Sequence, residues 1–260
     1  MIIATWNVNS LRVRQEQVMN WLQTTPVDLL CMQETKVVDD LFPSEPFEQM
    51  DYQVRFSGQK SYNGVAIASR KRGQDVLKVL PGMEDDPQKR FMAMTVGGVR
   101  IVSIYVPNGS VPGSEKFHYK MRWLQALEQW LQEELMRFPD LVLVGDFNIA
   151  PEDRDVHDPE RWQGSTLTVP EVRERFDGLL ALPMEDALRR VHGEEGGHFS
   201  WWDYRAGAYR RGMGIRIDHV LVSTTMAERL EMCTIDREPR GWDRPSDHAP
   251  VVAHFATSSK

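Results

Sequence analysis

Short apolar runs alternate along the whole chain with amphipathic segments, and this alternation limits the possible folds more than any other feature. Runs of four to seven apolar residues are typical of buried strands. They lie at residues 2–7, 27–33, 64–69, 141–144 and 217–222. Two more runs, residues 91–96 and 99–106, flank Gly97-Gly98 and predict a β-hairpin, because glycine tolerates the positive φ of a tight turn.

Two longer segments carry apolar residues at helical spacing. Residues 11–22 are predicted to form a helix capped by Ser10, and residues 116–136 a second, longer helix. Mixed strands with a few long helices favour α/β layers around a central pair of sheets. Since no Pro-, Gly- or Ser-rich linker divides the chain, we expect one domain over residues 1–255, followed by a short flexible tail at residues 256–260.

Composition limits the classes of protein that remain. With 41% hydrophobic and 27% charged residues, the 260-residue chain is typical of a globular protein with a sizeable core. Met1 to Trp6 lacks a basic leader, and no stretch approaches the roughly 18 apolar residues of a membrane span, so we expect no membrane association. Cys31 and Cys233 provide neither zinc spacing nor a disulfide framework, which favours a reducing, cytoplasmic location.

The net charge and the local distribution of charge lead to different expectations about nucleic-acid binding. A formal net charge of -7 argues mildly against an unspecialised nucleic-acid binder, because contacts to phosphate need lysine and arginine. Charge can nevertheless be clustered, and four arginines lie within twelve residues from Arg205 to Arg216. Phe199 to Arg205 also interleaves aromatic rings with charge. A loop that straddles a phosphate backbone and places apolar groups beside a displaced base or sugar would explain this pattern.

Polar residues follow several of the apolar runs. Asn7 and Asn9 come after the first strand and Glu34 after the second; a turn asparagine and a solvated glutamate are the alternative interpretations. If the two strands are neighbours, Asn7 and Glu34 would emerge at the same edge. Oxygen ligands at such an edge are what Mg²⁺ prefers.

Asp146 and Asn148 end a buried strand two residues apart. In an extended segment both side chains would face one pocket, where the carboxylate could polarise water, although an Asx turn would also explain them. Asp218 lies within a strand and needs a partner, for which His248 is the candidate. His219 points to the opposite face and is interpreted as structural. Tyr105 and Asn108 end another strand and could donate hydrogen bonds to a phosphate oxygen.

Several carboxylates, a histidine and few cysteines predict metal-assisted hydrolysis of a phosphodiester. Taken together, the motifs resemble the exonuclease III type of abasic-site endonuclease, in the endonuclease/exonuclease/phosphatase superfamily. The resemblance covers nearly the whole chain and rests on WNVNSLR (6–12), QETK (33–36), YNGV (62–65), YVPNG (105–109), GDFNIAP (145–151), WDYR (202–205), RID (216–218) and SDHAP (246–250). The last motif fits the whole superfamily, whereas QETK and WDYR are similar to its DNA-repair branch.

The resemblance implies a four-layer α/β sandwich of the DNase I-like kind, with two mixed β-sheets packed face to face and helices outside. It implies that Glu34 holds Mg²⁺, for which Mn²⁺ could substitute, that Asp146 activates the attacking water and that Asp218 supports His248. Either Asp146 or His248 could be the base. The predicted metal-binding residues are Asn7, Glu34, Asp146, Asn148, Asp247 and His248, and the predicted catalytic residues are Tyr105, Asp146, Asn148, Asp218 and His248.

The resemblance also implies a DNA surface. Trp201, Ile215 and Ile217 align with an apolar pocket for an extrahelical abasic sugar. The predicted phosphate contacts are Arg12, Lys36, Asn108, Lys116 and Arg211. The expected substrate is duplex DNA with abasic sites, nicks or blocked 3′ ends, bound by a monomer. Residues 161–170 occupy a segment that varies in the family, and we expect Leu167 to leave the pocket open to an internal abasic site.

Three alternatives remain at this stage. The first is a 3′-phosphodiesterase or exonuclease that cuts internal sites poorly. The second is a protein that binds damaged DNA without cleaving it, although neither a carboxylate nor the histidine of the motif set is missing. The third is a phosphatase that acts on small or lipid phosphates.

Overall fold

Twelve strands pair into two six-stranded sheets in the computed structural model, which describes residues 1–256. In chain order they are β1 (Ile2–Asn7), β2 (Leu29–Gln33), β3 (Gln53–Ser57), β4 (Val65–Ser69), β5 (Gln74–Leu77), β6 (Phe91–Val96), β7 (Val99–Tyr105), β8 (Leu141–Asp146), β9 (Met184–Asp186), β10 (Asp218–Ser223), β11 (Leu230–Ile235) and β12 (Val251–Phe255). The seven strands predicted from the apolar runs are confirmed, with ends that shift by at most two residues.

Both sheets are mixed. The first has the strand order β11-β12-β1-β2-β4-β3, and the second has the order β5-β6-β7-β8-β10-β9. In each sheet one central pair is parallel, β1 with β2 and β7 with β8, and the other neighbours are antiparallel. The carboxyl ends of the two parallel pairs therefore become candidates for a shared site.

Helices cover the outer faces. They are α1 (Leu11–Thr24), α2 (Glu45–Glu48), α3 (Glu115–Arg137), α4 (Pro159–Trp162), α5 (Pro170–Ala181), α6 (Ala187–His192) and α7 (Thr224–Ala227), with single 3₁₀ turns at Asp39–Leu41, Asp153–Asp155, Arg205–Gly207 and Glu238–Gly241. The side chain of Ser114 caps α3 by accepting the N–H of Phe117.

Ser10 precedes α1 as predicted, but the predicted cap by its side chain is wrong: within residues 1–256 that side chain makes no capping bond. The loop after β2 takes over this role. The Ser10 N–H donates to the Glu34 carbonyl at 2.7 Å and the Leu11 N–H to the Thr35 carbonyl at 3.1 Å. The start of α1 is thereby tied to the end of β2.

Successive side chains of a strand point to opposite faces of the sheet, so alternate residues pack either between the two sheets or against the outer helices. Ile3 of the first sheet and Ile101 of the second belong to the core between the sheets. Ala4 packs outward with Trp21 of α1, and Val102 packs outward with Leu127 of α3. The order helix, sheet, sheet, helix confirms the four-layer sandwich.

Two further points concern the ends and surface of the chain. The Ala256 N–H donates to the Arg229 carbonyl at 2.8 Å, and the rest of the predicted tail, residues 257–260, lies outside the described part. Within residues 1–256, none of the helices combines the length and the apolar character needed to cross a bilayer.

Candidate active site

Polar side chains from both sheets meet at one edge of the sandwich. Tyr105 ends β7, Asp146 ends β8 and Asp218 begins β10, and the strand register places Asp146 directly between the other two. In the facing sheet, Asn7 ends β1, and Glu34 is the first residue after β2. The expectation that Asn7 and Glu34 emerge together is confirmed, because β1 and β2 are parallel neighbours.

The backbone at this edge has unusual conformations. Gly145 has a φ of 147°, and a Cβ there would lie 1.9 Å from the Ile104 carbonyl oxygen, so only glycine allows β8 to approach β7 just before Asp146. Glu34 and Asn148 adopt left-handed φ values of 51° and 50°. Such conformations cost about 1–3 kcal/mol each and persist where the surrounding structure fixes them.

Asn7 connects the carboxylates of the two sheets. Its Nδ2 donates to Glu34 Oε1 and to Asp146 Oδ2, both at 2.9 Å, while its Oδ1 accepts the Asn9 N–H. In this arrangement Asn7 orients the two carboxylates, whereas the predicted role as a metal ligand would require its amide to turn.

Glu34 is stabilised as a carboxylate. Burial opposes its ionisation, but Lys36 Nζ, 2.8 Å from Oε2, and the hydrogen bond from Asn7 outweigh burial and hold the pKa of Glu34 below its ordinary value. Its side chain remains 18% exposed, so one face is open to an incoming ligand.

His248 forms the predicted pair with Asp218. Its Nδ1 lies 2.8 Å from Asp218 Oδ2, and Ser200 Oγ donates to the same oxygen at 2.7 Å. Burial disfavours the charged ring, but the negative charges of Asp218 and Asp146 prevail and raise the pKa of His248 to about 10. The ring is therefore an imidazolium at neutral pH, and its Nε2 lies 3.7 Å from Asp146 Oδ2.

Asp146 is buried beside this imidazolium. Burial raises the pKa of Asp146 to about 7, although the positive charge of His248 acts in the opposite direction. Asn148 follows in an Asx turn, in which its N–H donates to Asp146 Oδ1 at 2.9 Å, so the predicted extended geometry is wrong. The two side chains nevertheless line the same cavity, and Asn108 Nδ2 donates to Asn148 Oδ1 at 3.1 Å.

The donor set fits a hard divalent cation. Carboxylate oxygens of Glu34 and Asp146 and a ring nitrogen of His248 lie within 4.8 Å of one another. The protonated ring of His248 has no free lone pair, so its predicted role as a ligand would require the ring to lose a proton. The three carboxylates Glu34, Asp146 and Asp218 exceed the two cations, His248 and Lys36, by one charge, and a bound cation would offset this excess negative charge. Asp247 is placed differently: it accepts from Asn9 Nδ2 at 2.9 Å and from Trp201 Nε1 at 3.0 Å, and its role as a ligand stays a prediction.

An open cavity of about 380 Å³ adjoins this group. Its polar wall contains Glu34, Tyr105, Asn108, Ser110, Asp146, Asn148, Ser165, Thr166, Asp247 and His248, and its apolar wall contains Trp162, Leu167, Trp201 and Ile217. Ile215 is fully buried in the cluster behind this wall rather than at its surface. Burial and the charges of Glu34 and Asp146 raise the pKa of Tyr105 well above its usual value, so its hydroxyl remains a donor.

The predicted phosphate contacts differ in their surroundings. Arg12, Lys116 and Arg211 are exposed, and Lys36 is engaged with Glu34. The sequence pattern indicated that Arg216 belongs to an exposed arginine cluster, but the structure buries it. It is 1% exposed and pairs with Asp155 and Asp186, each at 2.7 Å, because a buried guanidinium requires carboxylate partners.

Two residues of the site were missed from the sequence. Ser200 holds Asp218, and a serine gives no sequence signal for this role. Lys120 Nζ donates to the carbonyl oxygens of Asn148 at 2.7 Å and Thr166 at 2.8 Å, and so holds two loops that line the cavity. A signal for Lys120 existed, because it lies on the apolar face of α3, three positions after Phe117.

Known proteins are similar to this chain over nearly its whole length. A model of the endonuclease/exonuclease/phosphatase family matches residues 4–248. Exodeoxyribonuclease III of Haemophilus influenzae is 32% identical to this chain, in an alignment that spans 98% of this chain and 100% of the relative.

Two solved structures are also similar. A 3′ phosphatase from Neisseria, bound to a product DNA hairpin, is 47% identical over 99% of this chain and 100% of its own, with a TM-score of 0.97. An AP endonuclease from Archaeoglobus fulgidus is 40% identical with the same coverage and a TM-score of 0.95.

Proposed function

The chain belongs to the endonuclease/exonuclease/phosphatase family and, within it, to the nucleases of the exonuclease III type; on this basis we propose that it is a Mg²⁺-dependent DNA-repair enzyme. Its substrate is duplex DNA, in which it hydrolyses the phosphodiester on the 5′ side of an abasic site. The same site removes nucleotides and phosphate groups from 3′ ends. The enzyme acts as a monomer.

One observation carries this proposal: the apolar wall of Trp162, Leu167, Trp201 and Ile217 faces the same cavity as the buried carboxylates and His248. An ordinary nucleotide in a stacked duplex would leave that wall without a partner. A sugar that has lost its base is small enough to place its ring carbons against such a wall, and it can leave the helix at low cost because it has no stacking or pairing to lose.

Glu34 would hold the Mg²⁺ ion, with Asn7 and Asp247 as further predicted ligands, and the ion would supply charge stabilisation at the scissile phosphate. His248 is cationic at neutral pH and so donates to a phosphate oxygen rather than removing a proton. Asp146, whose pKa lies at about 7, is the better base for the attacking water. The charges of the two residues thus favour Asp146 as the base, a choice that the sequence left open.

Neutral donors complete the phosphate site. Tyr105 and Asn108 lie in the wall of the cavity and offer a hydroxyl and an amide to the phosphoryl oxygens. Arg12, Lys116 and Arg211 are exposed and contact the flanking phosphates of the duplex, with Lys36 at the edge of the metal group.

A second function is favoured by a specific observation. The Neisseria 3′ phosphatase is 47% identical to this chain, against 40% for the Archaeoglobus AP endonuclease. The alternative function of the chain described here is therefore to process 3′ ends and to incise internal abasic sites only slowly.

Two labelled duplexes distinguish these functions, one with a single internal abasic site and one with a nick that ends in a 3′-phosphate. Both are incubated with and without Mg²⁺. Rapid metal-dependent incision of the first supports the proposal, whereas activity confined to the nicked duplex supports 3′-end processing. Free phosphate esters serve as competitors, and inhibition by them at low concentration would indicate a small-molecule phosphatase.

The Leu167→His variant tests the apolar wall in the same assay. A polar ring that extends further from the backbone than leucine should slow internal incision more than removal of the 3′-phosphate, because only the first reaction inserts a sugar against residue 167. The Leu167→Met variant, which keeps an apolar side chain of similar volume, is the control. Equal rates for all three proteins on the abasic duplex would show that Leu167 does not govern access.

A further inference from the structure

A second group of metal-binding side chains lies outside the active site. His192 ends α6, and Glu195 and His198 follow in the loop after it; each offers a ligand atom, and these atoms lie within 4.8 Å of one another. We propose that His192, Glu195 and His198 form a binding site for a divalent transition metal of the zinc type.

The orientation of His192 prepares one ring nitrogen for a metal. Its Nε2 lies 2.8 Å from the carbonyl oxygen of Cys233 in β11. Because a carbonyl can only accept, Nε2 carries the proton and Nδ1 keeps its lone pair. Histidines that ligate a metal through one ring nitrogen usually donate a hydrogen bond from the other nitrogen, often to a backbone carbonyl. This hydrogen bond fixes both the tautomer and the plane of the ring.

His198 supplies the second imidazole. Its Nε2 is buried and, among residues 1–256, has no hydrogen-bond partner, although Glu195 Oε2 lies 3.5 Å away. This separation of 3.5 Å is close to the distance between two ligand atoms of a tetrahedral ion whose metal–ligand bonds are about 2.1 Å. The rings of His192 and His198 are tilted by 38° with centroids 4.4 Å apart, so both could approach one ion.

The loop can adjust around an ion. Gly193 and Gly197 have φ values of 60° and 82°, and Glu195 is 69% exposed and free to move inward. Arg189 Nη1 donates to the Glu195 carbonyl at 2.7 Å and keeps the middle of the loop near α6. A small rearrangement of side chains would therefore bring three ligands to bonding distance and leave a fourth position for water.

The ligand chemistry separates this site from the acidic one. Two imidazoles and one carboxylate favour Zn²⁺ or a similar ion, whereas Mg²⁺ favours oxygen ligands. His198 is also two residues before Ser200, which holds Asp218, and three before Trp201 of the cavity wall. A bound ion would fasten the segment that carries both residues to α6 and β11.

The test measures retained zinc. Protein stripped with EDTA is dialysed against Zn²⁺ in excess Mg²⁺, and bound zinc is determined by elemental analysis, with the affinity taken from competition with a coloured chelator. The wild type and Glu34→Gln, which disables the acidic site, should both retain one zinc at the loop. His198→Asn and Glu195→Gln should bind it more weakly, His198→Asn by more than about 100-fold, which is the largest effect of losing an outer partner.

His118→Asn, at an exposed position of α3, is the matched control and should bind zinc like the wild type. Thermal unfolding in EDTA separates folding from binding: His198→Asn should unfold at the wild-type temperature in EDTA and fail to gain stability when zinc is added. The proposal is overturned if the wild type retains no zinc in excess Mg²⁺, or if His198→Asn binds it as tightly as the wild type.

Discussion

At the scale of single residues, the site depends on unequal charges among neighbouring acids. Glu34 has a lowered pKa because Lys36 and Asn7 face it, whereas burial raises the pKa of Asp146 to about 7. His248 lies between Asp146 and Asp218 and carries the compensating positive charge. Environments that separate the pKa values of adjacent acids are how one site obtains a permanent ligand and a base.

The raised pKa of His248 has a consequence for stability. Its pKa is about 10 in the folded protein and about 6.5 when unfolded, so the charged ring stabilises the fold fully below pH 6.5. This contribution is lost as the pH rises towards about 10. We expect the stability difference between wild type and His248→Gln to be largest near pH 6 and to shrink by pH 10.

Urea unfolding across this pH range, without added metal, measures that difference. His118→Gln, an exposed histidine on α3, is the control and should show a small difference at every pH. A gap between wild type and His248→Gln that stays constant from pH 6 to pH 10 would contradict the assignment of the charge to His248.

At the scale of elements, α3 does more than cover the second sheet. Lys120 on its buried face binds the carbonyl oxygens of Asn148 and Thr166, which belong to two different loops of the cavity. Burial lowers the pKa of Lys120 to about 7, while Asp146 acts in the opposite direction. An apolar residue would leave both carbonyls without this donor.

Lys120→Met should therefore destabilise the protein by about 1–3 kcal/mol, the cost of an unsatisfied buried polar group, and slow cleavage. Lys116→Met, one helical turn earlier and exposed, is the matched control for stability. Chemical unfolding and single-turnover cleavage provide the two measurements. If Lys120→Met is as stable and as active as the wild type, α3 does not hold these loops.

Among residues 1–256, seven of the twelve strands and the two longest helices, α1 and α3, were predicted from sequence, whereas the junctions between elements were not. Strongly apolar runs predicted β1, β2, β4, β6, β7, β8 and β10, and the five strands that were missed are β3, β5, β9, β11 and β12. Of these, β5 and β9 are short, and β11 is half-exposed and lacks a continuous apolar run. The start of α1 depends on carbonyls of Glu34 and Thr35, which are distant in sequence. Long-range contacts of this kind leave no local pattern.

At the scale of the whole molecule, the site exists only because two sheets meet. Each sheet contributes one pair of parallel strands, and Asn7 joins Glu34 of the first to Asp146 of the second. Gln33 Nε2 donates to Ser103 Oγ at 3.2 Å and makes a further polar link between the sheets. The sequence indicated which residues carry chemistry, but the contacts between sheets, the burial of Arg216 and the support from Ser200 required the fold.

The distribution of charge over the molecule predicts salt-dependent binding of DNA. Despite the net charge of -7, the exposed cations that are predicted to contact phosphate should release counterions from the duplex, each contributing about -0.9 to the slope of log affinity against log salt. Arg211→Ala should reduce that slope by about 1. Arg137→Ala, at the far end of α3 from Lys116, should leave it unchanged. The slopes are measured by fluorescence binding titration. Equal slopes for the wild type, Arg211→Ala and Arg137→Ala would show that Arg211 does not contact the DNA.

The most direct test of the account is single-turnover cleavage of a duplex with one internal abasic site by wild type and Asp146→Asn, with and without Mg²⁺. We predict Mg²⁺-dependent incision by the wild type and a rate lower by about 10²–10⁴-fold for Asp146→Asn, with duplex affinity retained, because a base acts in the transition state. Incision that persists in EDTA, or a variant that loses binding and cleavage together, would contradict the proposed mechanism.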